Sequence, residues 1–249
     1  MLTLRQKIVR RWTRMLMPFR YETENVLRCW CGGSLGPSRS PLVGDCVECG
    51  TGVLLRRLTE ASYERWYRSG DYRRYTMGTG GVSVGQLLKE MRRGEAALKF
   101  MSDHSFDVYG KSLMDVGSGA GGALIVARLL RAGLLVGVDS DPRSEKVPAI
   151  LGIQVLDSLP SADDWERVIC SHLIEHVIRP VEFLRTLVTY LNSDGCIYIE
   201  TPAWGPKAEV KLPHPFYYSQ ASFRFLAERA GLKVAAMDDG IRAVLRRVR

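Results

Sequence analysis

A glycine-rich segment in the middle of the chain could hold a nucleotide. Gly117, Gly119 and Gly122 have the spacing G-x-G-x-x-G and directly follow the apolar run Leu113–Val116. Glycines allow the backbone to approach a ligand closely at the carboxyl end of a strand. Asp139 ends the next apolar run, twenty residues after Gly119, so the pattern by itself also permits a dinucleotide site.

Asp115 lies two residues before the first of these glycines, and its carboxylate limits which ligands the segment can bind. A carboxylate in that place attracts an ammonium group and repels a pyrophosphate. The predicted sheet also ends in an antiparallel hairpin, Lys233–Ala236 with Ala243–Arg246, where a dinucleotide-binding fold would continue with a second parallel unit. Both features argue against a dinucleotide oxidoreductase.

Three of the four histidines lie in segments that could do acid–base chemistry. His172, Glu175 and His176 follow a predicted strand with the spacing H-x-x-E-H, and the two histidines are expected to share a helical face. His214 precedes an aromatic segment. Imidazole is suited to accept a proton near neutral pH. The H-x-x-E-H spacing is also that of an inverted zinc-protease signature, but that signature needs a further ligand in a different context.

Four cysteines form two close pairs near the start of the chain. Cys29, Cys31, Cys46 and Cys49 have the pattern C-x-C-x14-C-x2-C. Four thiolates so spaced can form a tetrahedral zinc site, which would fold a segment too small for a core of its own. Reduced thiols or a disulfide pair are the alternatives. The remaining two cysteines lie in predicted strands, where we expect them to pack in the core.

The elements that must position these residues divide the chain into four segments. They are a basic amphipathic helix (1–20), a cysteine-rich zinc-binding module (21–58), a connecting helical and aromatic lid region (59–105) and the main domain (106–249). In the main domain short apolar runs alternate with helical stretches, which predicts a mostly parallel sheet covered by helices. These runs are Leu113–Val116, Leu134–Val138, Ile153–Leu156, Val168–Cys170 and Ile197–Ile199. Asp141-Pro142 predicts a helix start, and Ser219 is expected to cap a helix that ends at Gly231.

Charge is concentrated at the two ends of the chain. The net charge is +8, but residues 1–20 carry +6 and the last nine residues carry +4, which leaves the body at about −2. This distribution argues against a nucleic-acid groove across the main domain. Six cysteines are too few for a disulfide scaffold and favour a reducing compartment. No apolar run reaches the ~18 residues of a spanning helix.

The first twenty residues could place the protein on a membrane. Leu4, Ile8, Trp12, Met15 and Phe19 lie on one face of the predicted helix, with the arginines largely on the other. Such a helix could lie on an anionic membrane surface, and a mitochondrial presequence is broadly similar. The alternative is a terminal helix whose apolar stripe packs on the body of the protein.

The main domain resembles the class I S-adenosylmethionine-dependent methyltransferases from about Leu113 onward. Besides the glycine segment, "VICSHLIEHVIRPVEFL" and "SDGCIYIETP" are similar to that family's fourth strand with its following helix, and to its fifth strand. The resemblance implies an α/β fold with a doubly wound, mostly parallel, seven-stranded sheet. It also implies a site for S-adenosylmethionine formed by Asp115, Gly117, Gly119, Asp139, Asp157, Ser171 and His172.

The same resemblance implies roles around the methyl acceptor. His176 is the first candidate for the general base and His214 the second, whereas His172 would be a structural residue near the cofactor. Aromatic residues ahead of the main domain would form a lid, or alternatively would only pack between the two modules; they are Trp66, Tyr67, Tyr72 and Tyr75. A zinc-ribbon-like module before such a domain is similar to bacterial sugar and natural-product methyltransferases.

We therefore expect a cytoplasmic enzyme that methylates a small molecule or a saccharide, on oxygen, with a histidine as base. It could act at the inner face of a membrane through residues 1–20. The alternatives are an RNA methyltransferase, favoured by the basic ends of the chain, and a non-catalytic scaffold that binds the cofactor and recruits a partner.

Overall fold

The structure is a computed structural model that describes residues 3–78, 81–161, 164–206 and 208–248. The helices in these ranges are α1 Leu4–Arg20, α2 Glu60–Arg68, α3 Asp71–Met77, α4 Val84–Asp103, α5 Gly122–Leu129, α6 Pro180–Thr189 and α7 Gln220–Arg229. Short 3-10 helices cover Pro148–Leu151 and Ile174–His176. The strands are β1 Thr23–Asn25, β2 Leu35–Gly36, β3 Val43–Cys46, β4 Gly52–Leu54, β5 Arg56–Leu58, β6 Leu113–Val116, β7 Leu135–Val138, β8 Gln154–Leu156, β9 Trp165–Ser171, β10 Leu191–Glu200, β11 Phe216–Tyr217, β12 Leu232–Met237 and β13 Arg242–Arg247.

A seven-stranded sheet forms the centre of the main domain and confirms the predicted doubly wound α/β fold. Its strand order is β12-β13-β10-β9-β6-β7-β8. The five strands from β10 to β8 are parallel, and β13 and β12 complete the sheet as the predicted antiparallel hairpin. Every residue of β6 and β7 is buried, because helices cover both faces of a parallel sheet. The carboxyl ends of the parallel strands therefore open onto one edge.

Helix α4 lies against α5 at backbone distance. A Cβ on Gly94 would lie 2.5 Å from the Cα of Ala123, and a Cβ on Gly122 would lie 2.4 Å from the carbonyl carbon of Glu90. Only glycine permits so close an approach. The contact brings Glu90 beside the start of α5, where the glycine segment ends.

The helix predicted to start at Asp141-Pro142 is wrong. Turns follow Asp141, and the next element is the 3-10 helix Pro148–Leu151. The Asp141 carboxylate accepts a hydrogen bond from the backbone N–H of Arg143 and forms ion pairs with Arg143 and Arg73. The hydrogen bond that was expected to cap a helix therefore stabilises a local turn instead. The helix that Ser219 was predicted to cap is confirmed as α7, with a capping box between Ser219 and Ser222.

The cysteine-rich segment is joined to the main domain through a shared sheet. β2, β3 and β4 form an antiparallel sheet to which β11, from the main domain, adds a fourth strand. Phe216 pairs with Val53 in this sheet. The indole N–H of Trp204 donates to the carboxylate of Asp45, at 3.0 Å. The position of the chain around β11 thus depends on the cysteine-rich segment.

Part of the apolar face of helix α1 is exposed to solvent. Ile8, Trp12 and Met15 are 49%, 57% and 52% exposed, and the side chains of Leu4 and Phe19 lie outside the described part of the chain. The opposite side of α1 contacts α3. For Ile8, Trp12 and Met15, the alternative prediction that the apolar stripe packs on the rest of the protein is therefore wrong. Among the described helices, none has the length and apolar character needed to cross a membrane.

Candidate active site

A cavity of about 460 Å³ opens at the carboxyl ends of the parallel strands, between the sheet and helices α3 and α4. Most of the predicted site residues line it. These are Tyr67, Tyr72, Asp115, Gly117, Gly119, Asp139, Asp157, Ser171, His172 and His176. A topological switch point of this kind is where doubly wound sheets bind their ligands.

The remaining predicted residues lie behind the wall of the cavity. Trp66 and Tyr75 are buried together in a separate aromatic cluster, with their ring centroids 5.4 Å apart. The ring of Trp66 also meets that of Tyr72 at a right angle, 5.5 Å away. His214 is buried against His176. These residues support the side chains that line the cavity.

Backbone hydrogen bonds hold the glycine segment in a tight turn over the end of β6. Gly117 and Gly119 have φ values of +78° and +59°, a left-handed conformation that glycine adopts at little cost. The N–H of Gly119 donates to one oxygen of Asp139, at 2.8 Å, and the N–H of Asp141 donates to the other, also at 2.8 Å. Asp139 is therefore fixed at the cavity wall with both oxygens directed by backbone donors.

Asp115 is a buried carboxyl group that lacks a hydrogen bond to the described residues. Burial, together with the nearby carboxylates of Asp139 and Glu90, raises its pKa to about 8. A buried acid without a donor keeps its proton until a cation arrives. A cation placed beside Asp115 would therefore favour its ionised form.

Glu90 is a site residue that the sequence did not reveal. It lies on α4, lines the cavity and accepts a hydrogen bond from the N–H of Ala120, at 2.7 Å. Gln86, one turn earlier, donates to its other oxygen. An acid in a helix that precedes the glycine segment carries no local motif, because only the close contact of α4 with α5 brings it to the turn.

Helix α3 is held to the loop after β7 by a buried ion pair between Arg73 and Asp141. Both side chains are almost fully buried, and Arg143 binds the same carboxylate at 2.6 Å. The two guanidinium groups and the hydrogen bond from the backbone outweigh the effect of burial and hold the pKa of Asp141 below its usual value. Helix α3 is thereby fixed over the cavity.

At the other end of the cavity, His172 bridges two acids. Its Nδ1 lies 3.4 Å from Glu175 and its Nε2 lies 3.5 Å from Glu200. Burial disfavours the charged ring, but the two carboxylates outweigh this effect and raise the pKa of His172 to about 9. The predicted shared helical face is wrong: His172 has φ +53° at the end of β9, and His176 ends a separate 3-10 helix.

His176 is held in one tautomer. Its Nδ1–H donates to the carbonyl oxygen of Pro213, at 2.8 Å, so the neutral ring keeps a lone pair on Nε2. Burial lowers the pKa of His176, and burial with the neighbouring His176 lowers that of His214 to about 3. The two rings meet at a right angle, with centroids 4.7 Å apart. Both histidines are neutral near pH 7.

The four cysteines of the N-terminal segment meet in one cluster. The Sγ atom of Cys49 lies 3.6 Å from that of Cys29 and 3.5 Å from that of Cys31. The Sγ atoms of Cys31 and Cys46 are also 3.5 Å apart. The two pairs that the sequence spacing predicted to converge do so.

The comparisons with known proteins identify the family. A family model described as a methyltransferase domain matches residues 88–236. This range includes the glycine turn and all four histidines of the chain, and it begins after the cysteine cluster. The chain belongs to the class I S-adenosylmethionine-dependent methyltransferases. The matched range also begins on α4, the helix that carries Glu90.

Two curated relatives are similar to this methyltransferase. It is 27% identical over 123 residues to a ubiquinone biosynthesis O-methyltransferase from Aeromonas salmonicida, over 45% of this chain and 51% of the relative. It is 29% identical over 185 residues to an uncharacterized methyltransferase from Mycobacterium leprae, over 69% of this chain and 63% of the relative. The methyltransferase thus spans between about half and two thirds of the length of these relatives.

Solved structures share the fold. The 1,6-didemethyltoxoflavin-N1-methyltransferase from Burkholderia thailandensis has a TM-score of 0.58 at 12% identity, over 84% of this chain and 96% of that one. The magnesium protoporphyrin IX methyltransferase from Synechocystis has a TM-score of 0.54 at 14% identity, over 75% of this chain and 98% of that one. At such identities the likeness supports the fold of the methyltransferase.

The substitution Asp115→Asn tests the buried acid in the ligand-free methyltransferase. Because folding raises the pKa of Asp115, the stability that its protonated form contributes is complete at pH 4 and is lost as the pH rises to about 8. The variant avoids this loss. We expect its advantage in free energy of unfolding over the wild type to grow by about 1 kcal/mol per pH unit across that range.

Thermal or urea unfolding between pH 5 and 8 measures this difference. Asp103→Asn, at the exposed end of α4, is the matched control and should show no such trend. A stability difference for Asp115→Asn that is independent of pH would show that the carboxyl group has a cation or a donor beside it.

Proposed function

We propose that this methyltransferase binds S-adenosylmethionine on the glycine turn and methylates a hydroxyl oxygen of a small-molecule or saccharide acceptor beside His176. The observation that carries the proposal is that one cavity is lined by both Asp115 and His176. The first is a buried acid with no hydrogen bond to the described residues, and the second is a neutral imidazole with a lone pair on Nε2. The proposed methyl donor and its acceptor would thus share one cavity.

The residues around the turn fit S-adenosylmethionine. Asp115 would bind the ammonium group of its methionine moiety, and Asp139 would accept hydrogen bonds from the ribose hydroxyls. The backbone at Gly117 and Gly119 permits close contact, and Asp157 at the cavity mouth would meet the adenine. Ser171 and His172 complete the wall and hold Glu200 in place, since both contact its carboxylate.

The charge of the cavity also favours this ligand. Glu90, Asp115 and Asp139 line the end near the glycine turn, and the pKa of Asp115 shows that the acids oppose one another's ionisation. A ligand with an ammonium and a sulfonium group relieves that repulsion. A pyrophosphate would increase it, which agrees with the exclusion of a dinucleotide.

S-adenosylmethionine supplies a methyl group that its sulfonium already activates, so the protein must orient the acceptor and remove a proton. As the oxygen–carbon bond forms and the carbon–sulfur bond breaks, the hydroxyl proton passes to Nε2 of His176. His214 supports the ring of His176 from behind. Tyr67 and Tyr72, from the lid region, meet His176 at ring distances of 6.0 Å and 5.7 Å and close the cavity above it.

The proposed acceptor class rests on charge and on similarity. The body of the chain carries about −2, which disfavours a polyanionic substrate. Proteins named for ubiquinone biosynthesis, 1,6-didemethyltoxoflavin and magnesium protoporphyrin IX are among the similar ones, and these names denote small organic molecules. An RNA acceptor and a non-catalytic scaffold are the competing functions.

Methyl-labelled S-adenosylmethionine, incubated with the purified protein and a fractionated extract of the host, tests the function. We expect label in a small-molecule or saccharide fraction. His176→Gln should lower the transfer rate by about 10²-fold or more while S-adenosylhomocysteine binding is retained. His104→Gln, outside the cavity, is the control and should be fully active. Label in RNA alone would reject the acceptor class, and bound S-adenosylmethionine without any transfer would favour the scaffold.

The cysteine cluster is proposed to hold structural zinc. With Zn–S bonds of about 2.3 Å, tetrahedral geometry places sulfur atoms about 3.8 Å apart, and the observed separations are 3.5–3.6 Å. This fit supports residues 21–58 as a zinc-ribbon-like module, ahead of the lid region 59–105 and the main domain 106–249. Because β11 pairs with β4 of the module, the zinc would also stabilise the segment that carries His214.

Metal analysis of the purified protein is expected to give one tightly bound zinc ion per chain. Cys31→Ser should lose most of that zinc and lower the unfolding temperature, because a structural zinc site contributes directly to folding. Cys196→Ala, in the buried part of β10, is the control: it removes a core cysteine outside the cluster and should keep its zinc. Full zinc content in Cys31→Ser would contradict the site.

The exposed stripe of α1 is proposed to bind the inner face of an anionic membrane. Ile8, Trp12 and Met15 lie within three turns on the solvent side of the helix, and exposed basic residues, among them Arg5 and Arg11, flank them. Apolar burial and attraction to anionic headgroups act together in such helices. The active site would then face an acceptor made or held at a membrane.

Vesicle flotation tests the surface. We expect the protein to float with vesicles that contain phosphatidylglycerol and to remain below with purely zwitterionic ones. The triple variant Ile8→Gln, Trp12→Gln and Met15→Gln should lose flotation. A control that removes exposed apolar side chains elsewhere, Leu27→Gln with Leu129→Gln and Ile150→Gln, should float like the wild type. Equal behaviour of the two variants would contradict a role for α1.

A further inference from the structure

Three buried side chains next to the acceptor end of the cavity have the chemistry of a metal site. Glu175, His176 and His214 each offer a ligand atom, and these three atoms lie within 4.8 Å of one another. The residues are only 2%, 8% and 7% exposed. Two imidazoles and one carboxylate are a frequent ligand set for divalent transition metals.

The hydrogen bonds of the cluster leave donor atoms for a ligand. Oε1 of Glu175 faces His172, whereas its Oε2 is buried and has no hydrogen-bond partner. A buried carboxylate oxygen without a partner is costly, and a cation would satisfy it. Because Nδ1 of His176 donates to the carbonyl of Pro213, the lone pair on its Nε2 is the one that can bind a metal. Such a backbone contact is a common orienting interaction for a metal-bound histidine.

The elements that carry the three residues hold them in place. Glu175 and His176 belong to the 3-10 helix after β9, and His214 directly precedes the segment of β11 that pairs with the cysteine-rich module. Metal–ligand bonds of about 2.1 Å require ligand atoms about 3.4 Å apart in a tetrahedral site. Since the three ligand atoms already lie within 4.8 Å of one another, a contraction of at most about 1.4 Å brings them to that separation.

We infer that Glu175, His176 and His214 bind a divalent cation, such as Mn²⁺ or Zn²⁺, with its open coordination positions toward the cavity. His176 lines the cavity, so a ligand in the cavity can reach the cation from that side. The fixed partners in the protein are one carboxylate and two neutral imidazoles, which leave a net positive charge at the site. That charge would attract an oxygen ligand.

For catalysis the inference rests on the proposed function, whereas cation binding itself does not. A hydroxyl bound to the cation would lose its proton to water at the cavity mouth before transfer. The oxygen would then form its bond to the methyl carbon as the carbon–sulfur bond breaks. The cation would occupy the lone pair on Nε2 of His176, so His176 could not act as the base in the metal-bound enzyme. There the cation would activate the acceptor hydroxyl in its place. An acceptor with two adjacent oxygens, as in a catechol or a vicinal diol, would bind such a cation best.

Electron paramagnetic resonance of Mn²⁺ tests the site on the full chain with its own zinc retained. Mn²⁺ is a poor competitor for thiolate ligands, so it reports on the second site alone. We expect about one Mn²⁺ per chain to leave the free pool. His214→Gln and Glu175→Gln should each weaken binding at least tenfold, which follows from the loss of a ligand.

Controls separate a lost ligand from a lost fold. His104→Gln and Glu182→Gln change the same residue types outside the cluster and should bind Mn²⁺ like the wild type. Circular dichroism and S-adenosylhomocysteine binding check that the ligand variants are folded. No Mn²⁺ binding by the wild type, or equal binding by folded His214→Gln, would overturn the inference. Neither result depends on an acceptor, so it can be told apart from a failure of the methyl-transfer experiment.

Discussion

The compensation of buried negative charge is the constraint on which the active site depends. Several acidic side chains are buried together at the carboxyl edge of the sheet. Each is stable there only with a hydrogen-bond donor or a cation beside it. Asp139 is satisfied by backbone N–H groups, Asp141 by two arginines, and Glu200 by His172 with Ser171. Two groups are left without such a partner among the described residues. They are the carboxyl group of Asp115 and Oε2 of Glu175.

Asp115 lines the cavity, and Glu175 is buried directly beside His176, which lines it as well. Asp115 lies at the glycine turn, where the methyl donor is proposed to bind, and Glu175 lies beside the pair of histidines. Under the proposed function, bound ligands would supply the positive charge that these two acids lack. His172 lies between the carboxylates of Glu175 and Glu200, which raise its pKa to about 9 and so favour its charged form.

The parts of the chain outside the main domain contribute to the site by packing. The lid region is held by the ion pair between Arg73 and Asp141, and its tyrosines cover His176. The cysteine-rich module adds its sheet to β11 and so supports the loop that ends in His214. A zinc ion in the module would therefore act on the acceptor site through the position of this loop, at a distance from the chemistry.

The sequence by itself determined the class of fold, the glycine turn and the cysteine cluster, because each depends on local spacing. Apolar runs of strand length must be buried, glycines with positive φ must stand where the turn needs them, and paired cysteines are close in space whenever the segment between them folds back. The predicted residues Asp115, Asp139 and His176 all line the cavity for that reason.

Only the tertiary structure determined the positions of several site residues, because no local sequence pattern predicts them. Glu90 reaches the turn only because α4 touches α5, and Asp141 caps no helix because its carboxylate binds Arg73 from the lid region. His172 and His176 diverge because a strand end and a 3-10 helix replace one regular helix. Contacts between residues distant in the chain depend on packing, and packing is the sum of many weak interactions that spacing along the sequence does not encode.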